Sequence, residues 1–123
     1  MPVARNAEKA RSRAHRRPAE TSRSALVHLP AAGCTEPVPP LPAGRQWSAV
    51  ESRRWQELWT SPQATQWDET VTGTVAVLIV YEGALLSGAA AAWQAAESRH
   101  AADALGLTPR ALAALGWKIE AAR

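Results

Sequence analysis

Five prolines lie close together in the first third of the chain and limit what this segment can form. Proline has no backbone N–H donor and clashes with the preceding helical turn, so such a run excludes a regular helix and favours an extended spacer. The folded body is therefore predicted to begin near Trp47, with a disordered basic arm and spacer over residues 1–46 and a body over residues 47–123. The prolines are Pro30, Pro37, Pro39, Pro40 and Pro42.

Charge is distributed unevenly between the two ends of the chain. Residues 1–23 carry seven basic and two acidic side chains, whereas residues 24–123 carry seven basic and nine acidic ones. A basic arm on a slightly acidic body indicates attraction to nucleic acid or another anionic surface, although a solvated tail that aids solubility is the alternative. The arm has too few large apolar groups to fold alone. Its candidate phosphate contacts are Arg5, Lys9, Arg11, Arg13, Arg16 and Arg17.

The start of the body has the pattern of short helices. Ser48 and Glu51 form a capping-box motif, and large apolar residues then recur at helical spacing. Ser61 followed by Pro62 predicts a second short helix that reaches Trp67. Arg53 and Arg54 fall opposite the apolar face of the first helix, as candidate DNA contacts or simply exposed cations.

Four tryptophans lie within this region, and their role has two interpretations. Rings at helical spacing usually form a core, and each indole N–H then needs a partner. The alternative is a stacking platform for nucleic-acid bases. The four are Trp47, Trp55, Trp59 and Trp67.

The apolar run from Val71 to Trp93 is compatible with three structures. Its β-branched centre favours a strand, but the apolar face extends too far for a strand of about 5 or 6 residues, so a helix is preferred. A membrane span is disfavoured by Glu82 at its middle. Two glycines then predict a break between Gly83 and Gly88, which gives a helical hairpin with arms near 70–82 and 87–105. The candidate interface residues of this hairpin are Val75, Leu78, Ile79, Leu85, Leu86 and Trp93.

The last part of the chain predicts one more helix. Gly106 ends the hairpin, and Thr108 with Pro109 begins a helix whose apolar face includes Leu115 and Ile119. The whole body is thus expected to be all-α. Because a body of about 77 residues is marginally stable alone, self-association is also expected.

Nothing in the sequence indicates catalysis. His15, His28 and His100 have no neighbours at metal-ligand spacing, and no phosphate-binding loop is present. The single Cys34 excludes a disulfide framework, fits a reducing cytoplasm and is expected to be inert. We therefore expect a non-enzyme without metal or cofactor.

One string of the body resembles a known family. Residues 55–67, Trp-Gln-Glu-Leu-Trp-Thr-Ser-Pro-Gln-Ala-Thr-Gln-Trp, are followed by Leu-Gly-Leu-Thr-Pro at 105–109 and Trp-Lys-Ile at 117–119. In order and spacing these resemble the small subunit of phage terminase, in the form found in phages and prophages of actinobacteria. The resemblance covers about residues 47–119.

The resemblance implies a helical DNA-packaging protein that assembles into a ring through its hairpin. Such a protein would recognise the packaging start on double-stranded viral DNA and pass that DNA to the large terminase subunit, which carries the ATPase and nuclease. It would act in the cytoplasm of the bacterial host, without a membrane, and would be absent from the mature virion. Alternatives are a small helix-turn-helix transcriptional regulator, with a recognition helix near residues 60–67, and a membrane-anchored interaction protein.

Overall fold

A computed structural model describes residues 26–121, and this part of the chain is mostly helical. Its elements, in order, are strand β1 (Val27–Leu29), helix α1 (Ala49–Trp59), 3-10 helices at Pro62–Gln66 and Glu69–Val71, helices α2 (Thr72–Ser87), α3 (Ala92–Ala104) and α4 (Pro109–Leu115), and strand β2 (Trp117–Ile119).

Helix α1 begins with the capping box that the sequence predicts. The Ser48 hydroxyl accepts a hydrogen bond from the Glu51 N–H at 3.1 Å, and the Glu51 carboxylate accepts one from the Ser48 N–H at 2.9 Å. After Trp59 the chain turns into the 3-10 helix Pro62–Gln66. The expected second helix is thus present only as a single tight 3-10 segment.

Helices α2 and α3 form the expected hairpin, but its turn lies later than predicted. Gly88 ends α2 with a φ of +80°, a left-handed conformation that glycine adopts without steric cost, and its N–H bonds to the Leu85 carbonyl. Helix α2 continues through Gly83 because one glycine weakens a helix by only about 1 kcal/mol. We call the Gly88 end of the hairpin its tip and the opposite end, where α2 begins and α3 ends, its base.

Helix α4 begins as predicted and ends sooner. The Thr108 hydroxyl accepts the Ala111 N–H at 3.0 Å, and Gly116, with a φ of +74°, ends the helix. Trp117–Ile119 then forms strand β2, so the prediction that Ile119 shares the face of the last helix is wrong.

Strands β1 and β2 pair in parallel and show that the body begins before Trp47. Val27 lies opposite Trp117 and Leu29 opposite Ile119, and Leu29 is completely buried. This short sheet departs from the all-α expectation. Residues 1–25, which include the expected basic arm, lie outside the described part of the chain.

The proline-rich segment is packed against the body instead of serving as a spacer. The indole N–H of Trp55 donates to the Pro39 carbonyl at 2.7 Å, and that of Trp47 donates to the Pro42 carbonyl at 2.9 Å. An extended proline segment leaves its carbonyls unpaired along its length, so nearby indoles can bind them. The expected boundary between residues 46 and 47 therefore crosses a packed region.

Candidate self-association surface and nucleic-acid interface

The tryptophan cluster forms the core. Trp55, Trp59 and Trp67 are each at most 2% exposed. Trp59 packs against Trp55 at a ring-centroid distance of 5.7 Å and edge-on against Trp67 at 5.2 Å. The Trp67 indole N–H donates to the Leu105 carbonyl at 3.0 Å, which ties the core to the end of α3. These rings are closed to solvent, so the base-stacking interpretation is wrong for all three.

The segment that a helix-turn-helix regulator would use for recognition is part of this core. The 3-10 helix Pro62–Gln66 has only five residues and carries no lysine or arginine. Its Gln63 and Ala64 are buried, and the Gln63 amide donates to the Gly106 carbonyl at 3.1 Å. No recognition helix is presented to solvent at this position.

The six predicted interface residues of the hairpin divide into two groups of three. Val75, Leu78 and Ile79 are at most 2% exposed and belong to the tryptophan core, so they offer a second chain almost no surface, although Ile79 also lines a groove near the tip. Their prediction as oligomerisation residues is wrong, because one helical face cannot fill the core and also present itself outward. The exposed three are Leu85 at 39%, Leu86 at 88% and Trp93 at 59%.

The exposed three lie at the hairpin tip. Trp93 packs edge-on against Tyr81 at 5.8 Å, so α3 does return its tryptophan to α2, as predicted. Leu85 and Leu86 border a groove of about 330 Å³ that Val50 of α1 also lines, and Val50 is 67% exposed. We call Val50, Leu85, Leu86 and Trp93 the tip patch. Exposed apolar side chains grouped at one end of a body are typical of surfaces that bind a partner.

The groove beside the tip patch contains a network of three charged side chains that hydrogen-bond one another. The Arg54 guanidinium donates from Nε and Nη2 to the two Glu82 oxygens, both at 3.0 Å, and from Nη1 to Glu57 at 3.2 Å. The hydrogen bonds to Glu82 raise the pKa of Arg54 above its ordinary value, so it stays charged. Arg54 therefore joins α1 to α2, and its two carboxylate partners disfavour the predicted DNA contact.

Helix α2 and the turn before it resemble a membrane span in length and composition. The run Glu69–Ser87 has 19 residues and a mean hydropathy of 1.5 in its most apolar window, of which 17% is buried. This is a weak indication, since core helices of soluble proteins share it. Here the buried side of the helix packs on tryptophans, and Glu82 pairs with Arg54.

The structure describes only one of the remaining predicted nucleic-acid contacts. Arg53 lies exposed on α1. The six arm residues Arg5, Lys9, Arg11, Arg13, Arg16 and Arg17 lie outside the described residues. Arg110 and Lys118 are also exposed, near the end of the body opposite the tip patch. The sequence did not predict them as contacts, because isolated cations in an alanine-rich segment form no recognisable pattern.

Metal ligands and a reactive thiol are not brought together within residues 26–121. No group of three or more His, Cys, Asp or Glu side chains in that range could hold a metal ion. Cys34 is buried beneath the proline segment, 6% exposed. The expectation of a non-enzyme without cofactor stays a prediction.

Comparison with protein-family models, curated proteins and solved structures found no match to this chain. The resemblance to terminase small subunits therefore rests on the residues quoted above.

Proposed function

We propose that this chain is a small terminase subunit, a phage DNA-packaging protein that binds viral double-stranded DNA, forms a homo-oligomeric ring and regulates the large ATPase and nuclease subunit. The observation that carries the proposal is the antiparallel α2–α3 hairpin, whose inner face completes a tryptophan core while its tip leaves Leu85, Leu86 and Trp93 exposed. A packed core with an exposed apolar tip suits a protein that associates with other copies of itself.

The tip patch is the surface on which subunits would associate. Its charged neighbours Arg54, Glu57 and Glu82 hydrogen-bond one another, and one cation against two carboxylates leaves no free positive charge for an anionic partner. An apolar patch beside such a groove is best covered by another apolar surface. The tip patch of a second copy is apolar.

DNA binding would depend on the basic residues at the start of the chain. The described body, residues 26–121, has six basic and nine acidic side chains, so its own field repels phosphate. Residues 1–23 carry a net charge of +5. Contacts of this kind release counterions, which makes affinity steeply dependent on salt and largely independent of base sequence. A ring would present many such segments together and multiply weak contacts through effective concentration.

Mass measurement of the full-length protein in solution tests the assembly. We expect a closed oligomer of several subunits, and we expect Leu86→Ser to shift the mass toward the monomer without loss of helical circular dichroism. Leu115→Ser is the matched control, since Leu115 is 40% exposed but belongs to α4, away from the tip. A dimer that Leu86→Ser leaves unchanged would instead favour the small regulator, and insolubility without detergent would favour a membrane anchor.

A second experiment tests the DNA contact. Deletion of residues 1–23 should weaken binding to a duplex and flatten its salt dependence while the oligomer persists. Unchanged binding at every salt concentration would remove this segment from the mechanism. A gene for a large terminase subunit directly downstream would support the packaging function independently.

A further inference from the structure

Helix α2 borders a second apolar groove besides the one at the tip. This groove has a volume of about 380 Å³ and lies between α2 and the chain that leads from the proline-rich segment into α1. The Trp47 ring is one of its walls and is held in place, because its indole N–H donates to the Pro42 carbonyl at 2.9 Å. We call it the proline-side groove, and its lining includes Pro42, Arg45, Trp47, Val77, Val80 and Tyr81.

The two grooves lie on different sides of α2. Among the described residues they share none of their lining. Val77, which is 43% exposed in the proline-side groove, and Leu86, which is 88% exposed at the tip, are nine positions apart on this helix. At about 3.6 residues per turn, nine positions are about two and a half turns, so the two side chains leave α2 in roughly opposite directions, about 13 Å apart along its axis. A chain that covers one of them leaves the other free.

The two grooves also differ in charge. At the tip, Arg54 is shared by Glu57 and Glu82, so carboxylates are in excess, and the Glu57 side chain is 56% exposed. The described lining of the proline-side groove contains the cation Arg45 and no carboxylate. The Arg45 side chain is 45% exposed and makes only a long 3.4 Å contact with Glu51. Two tips that face each other would bring excess carboxylates together, whereas a tip that faces the proline-side groove brings them toward a cation.

We propose that the proline-side groove receives the tip patch of a second copy of this chain, with Leu86 of one subunit seated beside Val77 and Trp47 of the next. This inference rests on the proposed assembly. The tip patch of a second copy is one apolar surface that could cover the tip, but contact between two identical surfaces ends at two subunits. Contact between two different surfaces leaves each new subunit with one surface unused, so it continues from copy to copy until a ring closes.

Mixing two variants of the full-length protein distinguishes these arrangements. Leu86→Asp blocks the tip and Val77→Asp blocks the proline-side groove, and each variant alone should have the mass of a monomer in light scattering. An equal mixture should form a one-to-one heterodimer, because the intact groove of the first variant accepts the intact tip of the second. Leu115→Asp is the matched control, since Leu115 is 40% exposed but lies on α4 outside both grooves, and should keep the oligomer.

Disulfide crosslinking provides a readout that does not depend on how well an aspartate variant folds. A mixture of Leu86→Cys and Val77→Cys proteins should give a covalent dimer under mild oxidation, and a chain with both substitutions should give a ladder of covalent oligomers. The two positions are about 13 Å apart on one helix, too far for a bond within the chain. The unmodified protein is the control, because its single cysteine, Cys34, is buried.

The outcomes separate this inference from the proposed assembly. A covalent dimer from Leu86→Cys alone, no crosslink in the mixture, or an unchanged oligomer in Val77→Asp would each overturn the docking of tip into groove while leaving self-association intact. A monomeric unmodified protein at every concentration would overturn the proposed assembly as well.

Discussion

Arg54 of α1 holds Glu82 of α2 through two parallel hydrogen bonds, each 3.0 Å long, across a separation of 28 residues. A planar guanidinium and a carboxylate fit each other in this bidentate geometry, which gives orientation as well as attraction. The pair fixes the angle at which α1 approaches the hairpin and so positions Val50 beside Leu85 and Leu86.

We expect the Arg54–Glu82 pair to contribute measurably but modestly to stability. A double-mutant cycle with Arg54→Met and Glu82→Gln should give a coupling energy of about 0.5–1 kcal/mol, because both side chains retain partial solvent exposure. The coupling should decrease as salt is raised. Arg53→Met, at the exposed neighbouring position, should change the free energy of unfolding by less than about 0.5 kcal/mol. Coupling indistinguishable from zero at low salt would contradict a structural role for Arg54.

Gly106 is expected to be intolerant of a side chain for two separate reasons. Its φ is +75°, and a Cβ there would meet the Trp117 ring at 2.2 Å. Gly106→Ala should lower the free energy of unfolding by about 2–4 kcal/mol, combining backbone strain with the displaced ring. Gly88→Ala is the matched control, since Gly88 has a φ of +80° with no atom within 4 Å of the added Cβ, and should cost only about 1 kcal/mol. Equal costs in chemical denaturation would show that the ring contact is unimportant.

The thiol of Cys34 should report whether the proline-rich segment stays docked. A Cβ on Gly33 would lie 2.0 Å from the Thr60 carbonyl oxygen, which also accepts the Cys34 N–H, so Gly33→Ala should lift this segment and expose the thiol. We expect reaction with a thiol reagent to accelerate at least about tenfold, which corresponds to a shift of about 1.4 kcal/mol in local opening. Gly44→Ala, with a φ of +104° but open space around the Cβ, should leave the rate nearly unchanged. Equal rates in the two variants would contradict this account of docking.

Two truncations should show whether residues 26–46 belong to the folded body. Removing residues 1–25 should leave the melting temperature within a few degrees of the full chain. Removing residues 1–46 should lower the free energy of unfolding by about 3 kcal/mol or more, because it exposes the core beneath Leu29, worth about 2 kcal/mol, and leaves the Trp55 indole without its carbonyl. Calorimetry of both proteins measures the difference. Equal stability of the two truncated proteins would show that the folded body begins near residue 47, as the sequence predicted.

Local signals in the sequence predicted the helices and their caps well. The Ser48–Glu51 capping box, the Thr108 cap and the burial of Trp55 and Trp59 all depend on residues close together in the chain, where spacing alone carries the information. The hairpin also followed from periodicity. Its turn did not, because two glycines gave equivalent breaks and only packing decides which adopts the left-handed conformation.

Long-range packing explains what the sequence did not predict. Five prolines correctly excluded a helix, but whether an extended segment lies free or docks depends on indole donors that come later in the chain. Burial similarly divided the hairpin residues: Val75 and Leu86 are both apolar and both lie on α2, yet the core covers only the first. Arg53 and Arg54 are adjacent and equivalent in the sequence, and only the fold places Glu82 of α2 beside Arg54.

The parallel pairing of β1 with β2 also has a consequence for how the chain is made. Val27 and Trp117 are partners 90 residues apart in the sequence, so closing this contact costs more chain entropy than forming the local contacts within the helices. On the ribosome, Trp117 emerges only after helices α1 to α4 have been synthesised. Until then β1 lacks the strand with which it pairs in the described part of the chain, and Leu29 has no β2 beside it.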